Sequence, residues 1–190
     1  FGCVREADKP IVAFLMLHGC RPGEARALRL AHVNWTGQTI TIQATFSGRE
    51  WRDRRKGHGA EPYILPIHPE MRDFIGRRVR EALPGAYLFV NPRNGGHYTE
   101  NALGRLWRAV RKKAGIDARL RLYDATRHSF ASQLRAAGVS LSNIKDHLGH
   151  SDIRTTMKYS HGELESRRAD LEKLSLNKVE SIKKAEEWKK

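Results

Sequence analysis

Cysteine is scarce in this sequence: Cys3 and Cys20 are the only two among 190 residues. Their spacing fits no metal-ligand motif, and one pair cannot provide the disulfide framework of a small secreted domain. A reducing compartment is the simplest explanation, so we expect a cytoplasmic protein.

Long hydrophobic runs are also missing. The stretch Ile11–Leu17 is far shorter than the roughly 20 residues that a membrane-spanning helix needs. The pattern of a secretory signal peptide is not visible either. We therefore expect no contact with a membrane. Because the chain begins at Phe1 rather than Met, we also expect its upstream part to be missing.

Acidic residues are too few to balance the basic ones. The chain has 35 Lys and Arg against 21 Asp and Glu, a formal net charge of +14 and a pI of about 10.2. Such an imbalance is typical of proteins that bind polyanions, since each phosphate that is neutralised releases counterions. Nucleic acid is the expected partner. The alternatives are a basic surface that only confers solubility, or a ribosomal type of RNA-binding module.

Caps and apolar periodicity predict a mainly helical protein. Helices are predicted at residues 8–19, 25–30, 69–83, 100–114, 124–134 and 141–148. Three short extended segments are predicted at residues 39–46, 61–67 and 87–90. The second of these is predicted to be an edge strand because it contains Pro62 and Pro66.

Residues 148–161 are the most informative stretch of the chain. Gly149 ends a predicted helix, His150 follows it, and nine residues later Tyr159 stands beside Lys158. A tyrosine hydroxyl, with an ordinary pKa near ~10, is a poor nucleophile unless cationic neighbours stabilise the phenolate. Tyr159 is therefore a candidate nucleophile.

Three basic residues further upstream are candidates for the same site. Arg21 stands between two predicted helices, with Glu24 in position to steady its guanidinium. Arg127 lies one turn into its helix, and Lys56 belongs to a glycine-flanked basic loop that can follow a phosphate backbone. Taken singly, each has a plain alternative as a surface ion pair or a solvated loop.

Taken together and in this order, these residues resemble the tyrosine recombinase, or phage integrase, family. Three motifs carry the resemblance: GCRPGE at 19–24, RHSFAS at 127–132 and LGHSDIRTTMKYSH at 148–161. The third is the most specific because it includes the spacing from histidine to tyrosine. The pattern Ile64–Ile67 after the basic loop selects Lys56. The resemblance covers residues 8–162.

The resemblance implies the fold and the reaction. The fold class is mainly α with a small antiparallel β-sheet, and residues 1–162 form the catalytic domain. The activity is site-specific DNA recombination or integration, by strand cleavage and rejoining through a 3′-phosphotyrosine intermediate. Bacterial or phage origin follows from the same resemblance.

Each candidate residue then has a role. Tyr159 attacks the phosphodiester, while Arg21 and Arg127 hold its non-bridging oxygens. His150 donates to the same oxygens, and Lys56 protonates the leaving 5′-oxygen. We expect no cofactor and no metal, because the arginines supply the positive charge. His147 could share a zinc ion with His150, but further ligands at a suitable spacing are missing.

One position departs from the family pattern. The family usually has His or Lys three residues before the second arginine, whereas this chain has Asp124 there. A carboxylate cannot repeat the role of a cation. Asp124 and Glu24 are therefore candidate orienting residues.

The remaining expectations concern partners. Double-stranded DNA is expected to contact seven basic residues, Arg49, Arg52, Arg54, Arg55, Arg105, Arg108 and Lys112. The charged helical tail, residues 163–190, is expected to pack on its own domain or dock on a neighbouring protomer. The family pattern includes an upstream DNA-clamping domain, which we expect to be missing from residues 1–190. We expect a monomer in free solution and a tetramer of protomers on DNA.

Three other functions remain open at this stage. Asp124 raises the possibility of a DNA-binding protein of the same fold with weakened chemistry. A type IB-like topoisomerase would use the same tyrosine chemistry to relax supercoils. A basic RNA-binding module would explain the charge without any catalysis.

Overall fold

The computed structural model describes residues 1–53, 61–149, 168, 171 and 172. Across this part of the chain it confirms the predicted fold class, with helices around a small antiparallel sheet. The helices are α1 (Lys9–His18), α2 (Pro22–Ala27), α3 (Arg72–Glu81), α4 (Glu100–Ala114), α5 (Ser129–Ala136) and α6 (Leu141–Leu148). A π-helical turn, Asp124–His128, leads directly into α5.

The strands form two separate antiparallel sheets. They are β1 (Val33–Asn34), β2 (Thr39–Ile42), β3 (Thr45–Ser47), β4 (Glu50–Arg52) and β5 (Tyr63–Pro66). The larger sheet has the order β1-β2-β5, with Thr39 opposite Pro66 and Ile42 opposite Tyr63. The strand β5 lies at an edge, as its prolines predict, while β3 and β4 form a hairpin of their own.

The hydrophobic core is built around α1. This helix is apolar on nearly every face, and Phe14 and Leu15 are both completely buried. The core continues into the sheet through Ile40 and into α5 through Phe130. A helix that is hydrophobic all round must be buried. The two ends of α1 are therefore held rigidly, which matters because Arg21 follows its C-terminus.

The predicted caps place several helix ends correctly. The hydroxyl of Thr99 accepts from the amide of Ala102 at 3.1 Å and begins α4. The hydroxyl of Ser140 accepts from the amide of Asn143 at 3.2 Å and begins α6. Gly149 then ends α6 in the left-handed conformation, at φ 59°.

Three element predictions need correction. Helix α2 begins at Pro22, earlier than the predicted 25–30, because proline suits a first helical turn. The predicted strand 39–46 is split after Ile42, and its end belongs to the β3–β4 hairpin. The predicted extended segment 87–90 makes only isolated bridges to Arg29 and His97 in the described part of the chain.

The described residues of the tail pack on their own domain. The side chain of Leu171 is 1% exposed and belongs to the main core. Its carbonyl accepts from Nε2 of His68 at 2.7 Å, and Nη2 of Arg168 donates to the carbonyl of Gly37 at 2.5 Å. The rest of the predicted tail, and any docking on a neighbour, lies outside the described residues. No helix among the described residues is both long and apolar enough to cross a membrane.

Candidate functional site

Arg21 stands at the entrance to α2 and is held by Glu24. Its Nη1 lies 3.1 Å from Oε1 of Glu24, and its backbone amide donates to Oε2 of the same carboxylate at 2.8 Å. The side chain of Glu24 is completely buried, whereas that of Arg21 is 27% exposed. The buried carboxylate therefore fixes an arginine whose guanidinium still reaches the surface. The orienting role expected for Glu24 in the reaction stays a prediction.

Tyr63 is a second partner of that carboxylate, and it was not predicted from the sequence. Its hydroxyl donates to Oε2 of Glu24 at 3.3 Å from the buried strand β5. Tyr63 thus links the sheet to the arginine box, the motif at residues 19–24 that contains Arg21. The two residues are 39 positions apart, and no local motif predicts a contact at that separation.

Arg127 is buried, with only 1% of its surface exposed. Its Nη1 donates to the carbonyl of Gly19 at 2.9 Å, and its Nη2 donates to the carbonyl of Leu148 at 2.7 Å. Both acceptors lie at helix C-termini, where carbonyls have no partner within the helix. A guanidinium has more N–H donors than these two bonds use. Arg127 therefore ties together the chain segments that lead into Arg21 and His150.

Gly19 makes this close approach possible. Its φ of +62° is left-handed, and a Cβ there would lie 2.4 Å from the ring of Phe130. Glycine is the residue that tolerates both conditions. Gly19 therefore lets α1 end directly against α5, beside Arg127.

The two arginine motifs meet next to Cys20, because Nη1 of Arg127 donates to the carbonyl of Gly19, the residue before it. Burial raises the pKa of the Cys20 thiol; Glu24 raises it further, while the charges of Arg127 and Arg21 oppose the rise. All three groups thus act on one buried sulfur. The structure brings together the first and second arginine motifs, although they are more than 100 residues apart in the chain.

Asp124 faces a different set of partners. Its carboxylate accepts from Nε of Arg121 at 2.7 Å and from Nη2 at 3.0 Å, and it lies 3.6 Å from Nε2 of His128. The hydrogen bond from Arg121 is the main cause that lowers the pKa of Asp124. The carboxylate is therefore an ionised acceptor near neutral pH. The orienting role expected for Asp124 stays a prediction.

Several predicted DNA contacts lie on exposed surfaces. The side chains of Arg105, Arg108 and Lys112 are exposed and follow one face of α4 at helical spacing. Arg49 and Arg52 are exposed on the β3–β4 hairpin, where Arg52 pairs with Glu50 at 2.7 Å.

The other predicted site residues lie outside the described residues: Arg54, Arg55, Lys56, His150 and Tyr159. Within the described ranges, no group of three or more His, Cys, Asp or Glu side chains is arranged to hold a metal ion.

The fold is that of a tyrosine recombinase catalytic domain. The chain is similar to the integrase from mycobacterium phage Brujita, with a TM-score of 0.60 and 18% identity over 94% of this chain and 57% of that one. It is also similar to the Tn1549 transposon integrase in complex with transposon right end DNA, with a TM-score of 0.63 and 20% identity over 88% of this chain and 58% of that one.

The chain belongs to the phage integrase family, whose model matches residues 3–165. The tyrosine recombinase XerD of Lacticaseibacillus casei is 26% identical over 160 residues, which are 81% of this chain and 50% of that protein. XerD of Brucella abortus is 30% identical over 112 residues, or 56% of this chain and 36% of that protein. The chain thus spans half or less of the length of these relatives.

Proposed function

We propose that this chain carries the catalytic site of a DNA strand transferase that recombines or integrates DNA at specific sites. The observation that carries the proposal is the hydrogen bond from Arg127 to the carbonyl of Gly19, two residues before Arg21, together with the contact by which Glu24 fixes Arg21. Two guanidiniums that act on one phosphate suit the two non-bridging oxygens of a phosphodiester. The family membership and the DNA-bound Tn1549 integrase support the choice of DNA as substrate.

The proposed chemistry uses the chain's own residues. The hydroxyl group of Tyr159 gives its proton to water, and its oxygen forms a bond to phosphorus while the bond from phosphorus to the 5′-oxygen breaks. Arg21 and Arg127 stabilise the negative charge that develops on the non-bridging oxygens, and His150 donates to the same oxygens. Lys56 protonates the departing 5′-oxygen. The 3′-phosphotyrosine keeps a phosphoester bond, so a 5′-hydroxyl can attack it and rejoin a strand.

The basic surface supplies the DNA contacts in this proposal. The exposed face of α4 offers Arg105, Arg108 and Lys112, and the hairpin offers Arg49 and Arg52. Arg54 and Arg55 extend the same basic run in the sequence. Contacts of this kind position a protein on the phosphate backbone and weaken steeply as salt rises. We also propose that the protein acts in the cytoplasm, as a monomer when free and as a tetramer on DNA.

Covalent trapping tests the function. The full-length protein is incubated with a nicked duplex whose short 5′ fragment diffuses away after cleavage. We expect a denaturation-resistant protein–DNA adduct that disappears in Tyr159→Phe and persists in the control Tyr87→Phe. Retained DNA binding without any adduct would contradict the proposal. It would favour a DNA-binding protein that has lost its chemistry, the alternative suggested by Asp124.

Two further measurements separate the remaining alternatives. Relaxation of supercoiled DNA that lacks a recombination site would indicate a type IB-like topoisomerase. A preference for RNA over duplex DNA, unaffected by Arg21→Ala, would indicate an RNA-binding module.

A further inference from the structure

Arg26 has an unusual set of partners for a buried charge. It lies on α2 and is 4% exposed. Its Nε donates to the carbonyl of Tyr98 at 2.6 Å, and its Nη2 donates to the carbonyl of Gly48 at 3.0 Å. The guanidinium also lies 5.1 Å from the centroid of the Phe46 ring. One side chain therefore joins three segments that are distant in the sequence.

The partners of Arg26 compensate only partly for the cost of removing its charge from water. Burial lowers the pKa of Arg26, although the charge of Glu100 opposes that effect. Arginine nevertheless stays charged, and both of its hydrogen-bond acceptors here are neutral carbonyls. Its two hydrogen bonds therefore fix the geometry of the two segments that supply these carbonyls.

The segments that Arg26 joins are the ones that carry predicted DNA contacts. Gly48 forms the turn of the β3–β4 hairpin and directly precedes Arg49. Tyr98 directly precedes Thr99, the residue that begins α4. Helix α2 itself begins next to Arg21. The guanidinium thus sets the distance between the hairpin, the basic helix and the first arginine box.

The hairpin needs such an anchor because it is small. Each of its strands has three residues, and an isolated hairpin of this size is marginal in water. It lies so close to α2 that a Cβ on Gly23 would be 2.6 Å from the carbonyl oxygen of Phe46. A second arginine supports its outer strand, since the Arg29 guanidinium lies 5.8 Å from the Trp51 ring centroid.

We propose that Arg26 is a positioning residue for DNA binding: it holds the β3–β4 hairpin against α2 and α4, so that Arg49 and Arg52 reach the same DNA backbone as the basic face of α4. The inference rests on the DNA binding in the proposed function, but not on its chemistry. In this proposal Arg26 acts through the hairpin and does not itself touch a phosphate.

A double-mutant cycle tests this inference. Four full-length proteins are compared: wild type, Arg26→Met, Arg49→Ala with Arg52→Ala, and the triple variant. Affinity for one duplex is measured at several salt concentrations. In the wild-type background we expect Arg26→Met to lower affinity about tenfold or more. It should also reduce the salt slope by up to about two, as if two phosphate contacts were lost. In the Arg49→Ala, Arg52→Ala background the same change should have less than about a twofold effect.

Two variants serve as controls. Arg78 on α3 also donates to backbone carbonyls, with Nη2 2.9 Å from the carbonyl oxygen of Tyr87, but it does not join the hairpin. We expect Arg78→Met to bind DNA with an unchanged salt slope. Arg26→Lys keeps the charge but loses the planar fork that reaches both carbonyls, so it should resemble Arg26→Met.

Several results would overturn the inference. Equal losses in both backgrounds would mean that Arg26 acts independently of the hairpin. An unchanged salt slope in Arg26→Met, or an equal change in Arg78→Met, would remove the specific role. Unfolding of both Arg26 variants would make Arg26 a determinant of the whole fold instead. If wild type bound DNA but formed no Tyr159 adduct, the proposed chemistry would fail while this cycle could still be measured.

Discussion

At the scale of single residues, Arg127 combines a structural and a proposed chemical role. It donates to the carbonyls at the ends of α1 and α6 from a fully buried position. Arg127→Met would leave both carbonyls without this donor. We expect the free energy of unfolding, measured with urea, to fall by about 2 to 4 kcal/mol. The exposed Arg135 on α5 is the matched control, and Arg135→Met should cost less than about 0.5 kcal/mol. Equal losses would contradict the structural role.

Tyr63 offers a milder test of the arginine box. Tyr63→Phe removes the hydroxyl that donates to the Glu24 carboxylate but keeps the buried ring. Because Glu24 steadies Arg21, we expect single-turnover DNA cleavage to slow by about 3- to 30-fold, the equivalent of one weak hydrogen bond or slightly more. Tyr87→Phe should leave the rate unchanged, since the ring of Tyr87 makes its contact with Arg29. An unaltered cleavage rate in Tyr63→Phe would show that the Tyr63 hydroxyl does not contribute to the site.

The burial of His18 leads to a prediction of how the stability of the protein depends on pH. Its Nδ1 donates to the carbonyl of Phe14, and its Nε2 accepts from the amide of His68. Burial, helped by the charges of His68 and His147, lowers the pKa of His18 to about 3. The unfolded chain takes up a proton below about pH 6.5, while the folded protein does not until about pH 3. The contribution of His18 to the free energy of unfolding should therefore be constant above pH ~6.5. It should decrease as the pH falls below that value.

Urea unfolding between about pH 7.5 and 4.5 measures this effect. One histidine contributes a slope of up to about 1.4 kcal/mol per pH unit. His18→Gln cannot titrate, so its slope should be smaller by about that amount even if its overall stability is lower. The other histidines are the same in both proteins. Identical slopes would show that His18 does not stay neutral in the folded state.

At the scale of elements, the sequence predicts best those helices and strands whose ends are determined by local interactions. Helices α4 and α6 begin and end as predicted, because Thr99, Ser140 and Gly149 act on their own helix ends. The β3–β4 hairpin was missed because its position depends on distant contacts. Its Phe46 packs with Ala27 and Ala44 in a small separate cluster, which periodicity along one segment cannot indicate. Tertiary contacts outweigh strand propensity in such a short element.

The contact between α2 and β3 makes Gly23 critical. Gly23→Ala would place a Cβ 2.6 Å from a backbone oxygen of β3, so the hairpin would have to move. We expect the free energy of unfolding to fall by about 1 to 3 kcal/mol, as in other overpacked sites. Gly104 within α4 has open space around it, so Gly104→Ala should raise stability by about 0.5 to 1 kcal/mol. If Gly23→Ala raised the midpoint temperature of thermal unfolding, as Gly104→Ala should, the close approach of β3 would be contradicted.

At the scale of the whole molecule, the sequence could predict the family and the order of the candidate site residues. It could not predict the residues whose contacts hold them in position. The resemblance of their motifs predicts that Arg21 and Arg127 share a site, and in the structure Arg127 donates to the carbonyl of Gly19, two residues before Arg21. Tyr63 and Arg26 were missed because their partners are 39 and 72 positions away. The surplus of positive charge predicted nucleic-acid binding, and exposed arginines on α4 and the hairpin agree with it.

In the proposed function, Tyr159 forms the covalent bond to DNA. The decisive measurement traps the full-length protein on a nicked duplex, digests both components and locates the nucleotide remnant by tandem mass spectrometry. We expect a 3′-phosphate linked to the Tyr159 oxygen. A remnant on another residue, such as Tyr123 beside His128, would contradict it, and so would bound DNA that forms no covalent link.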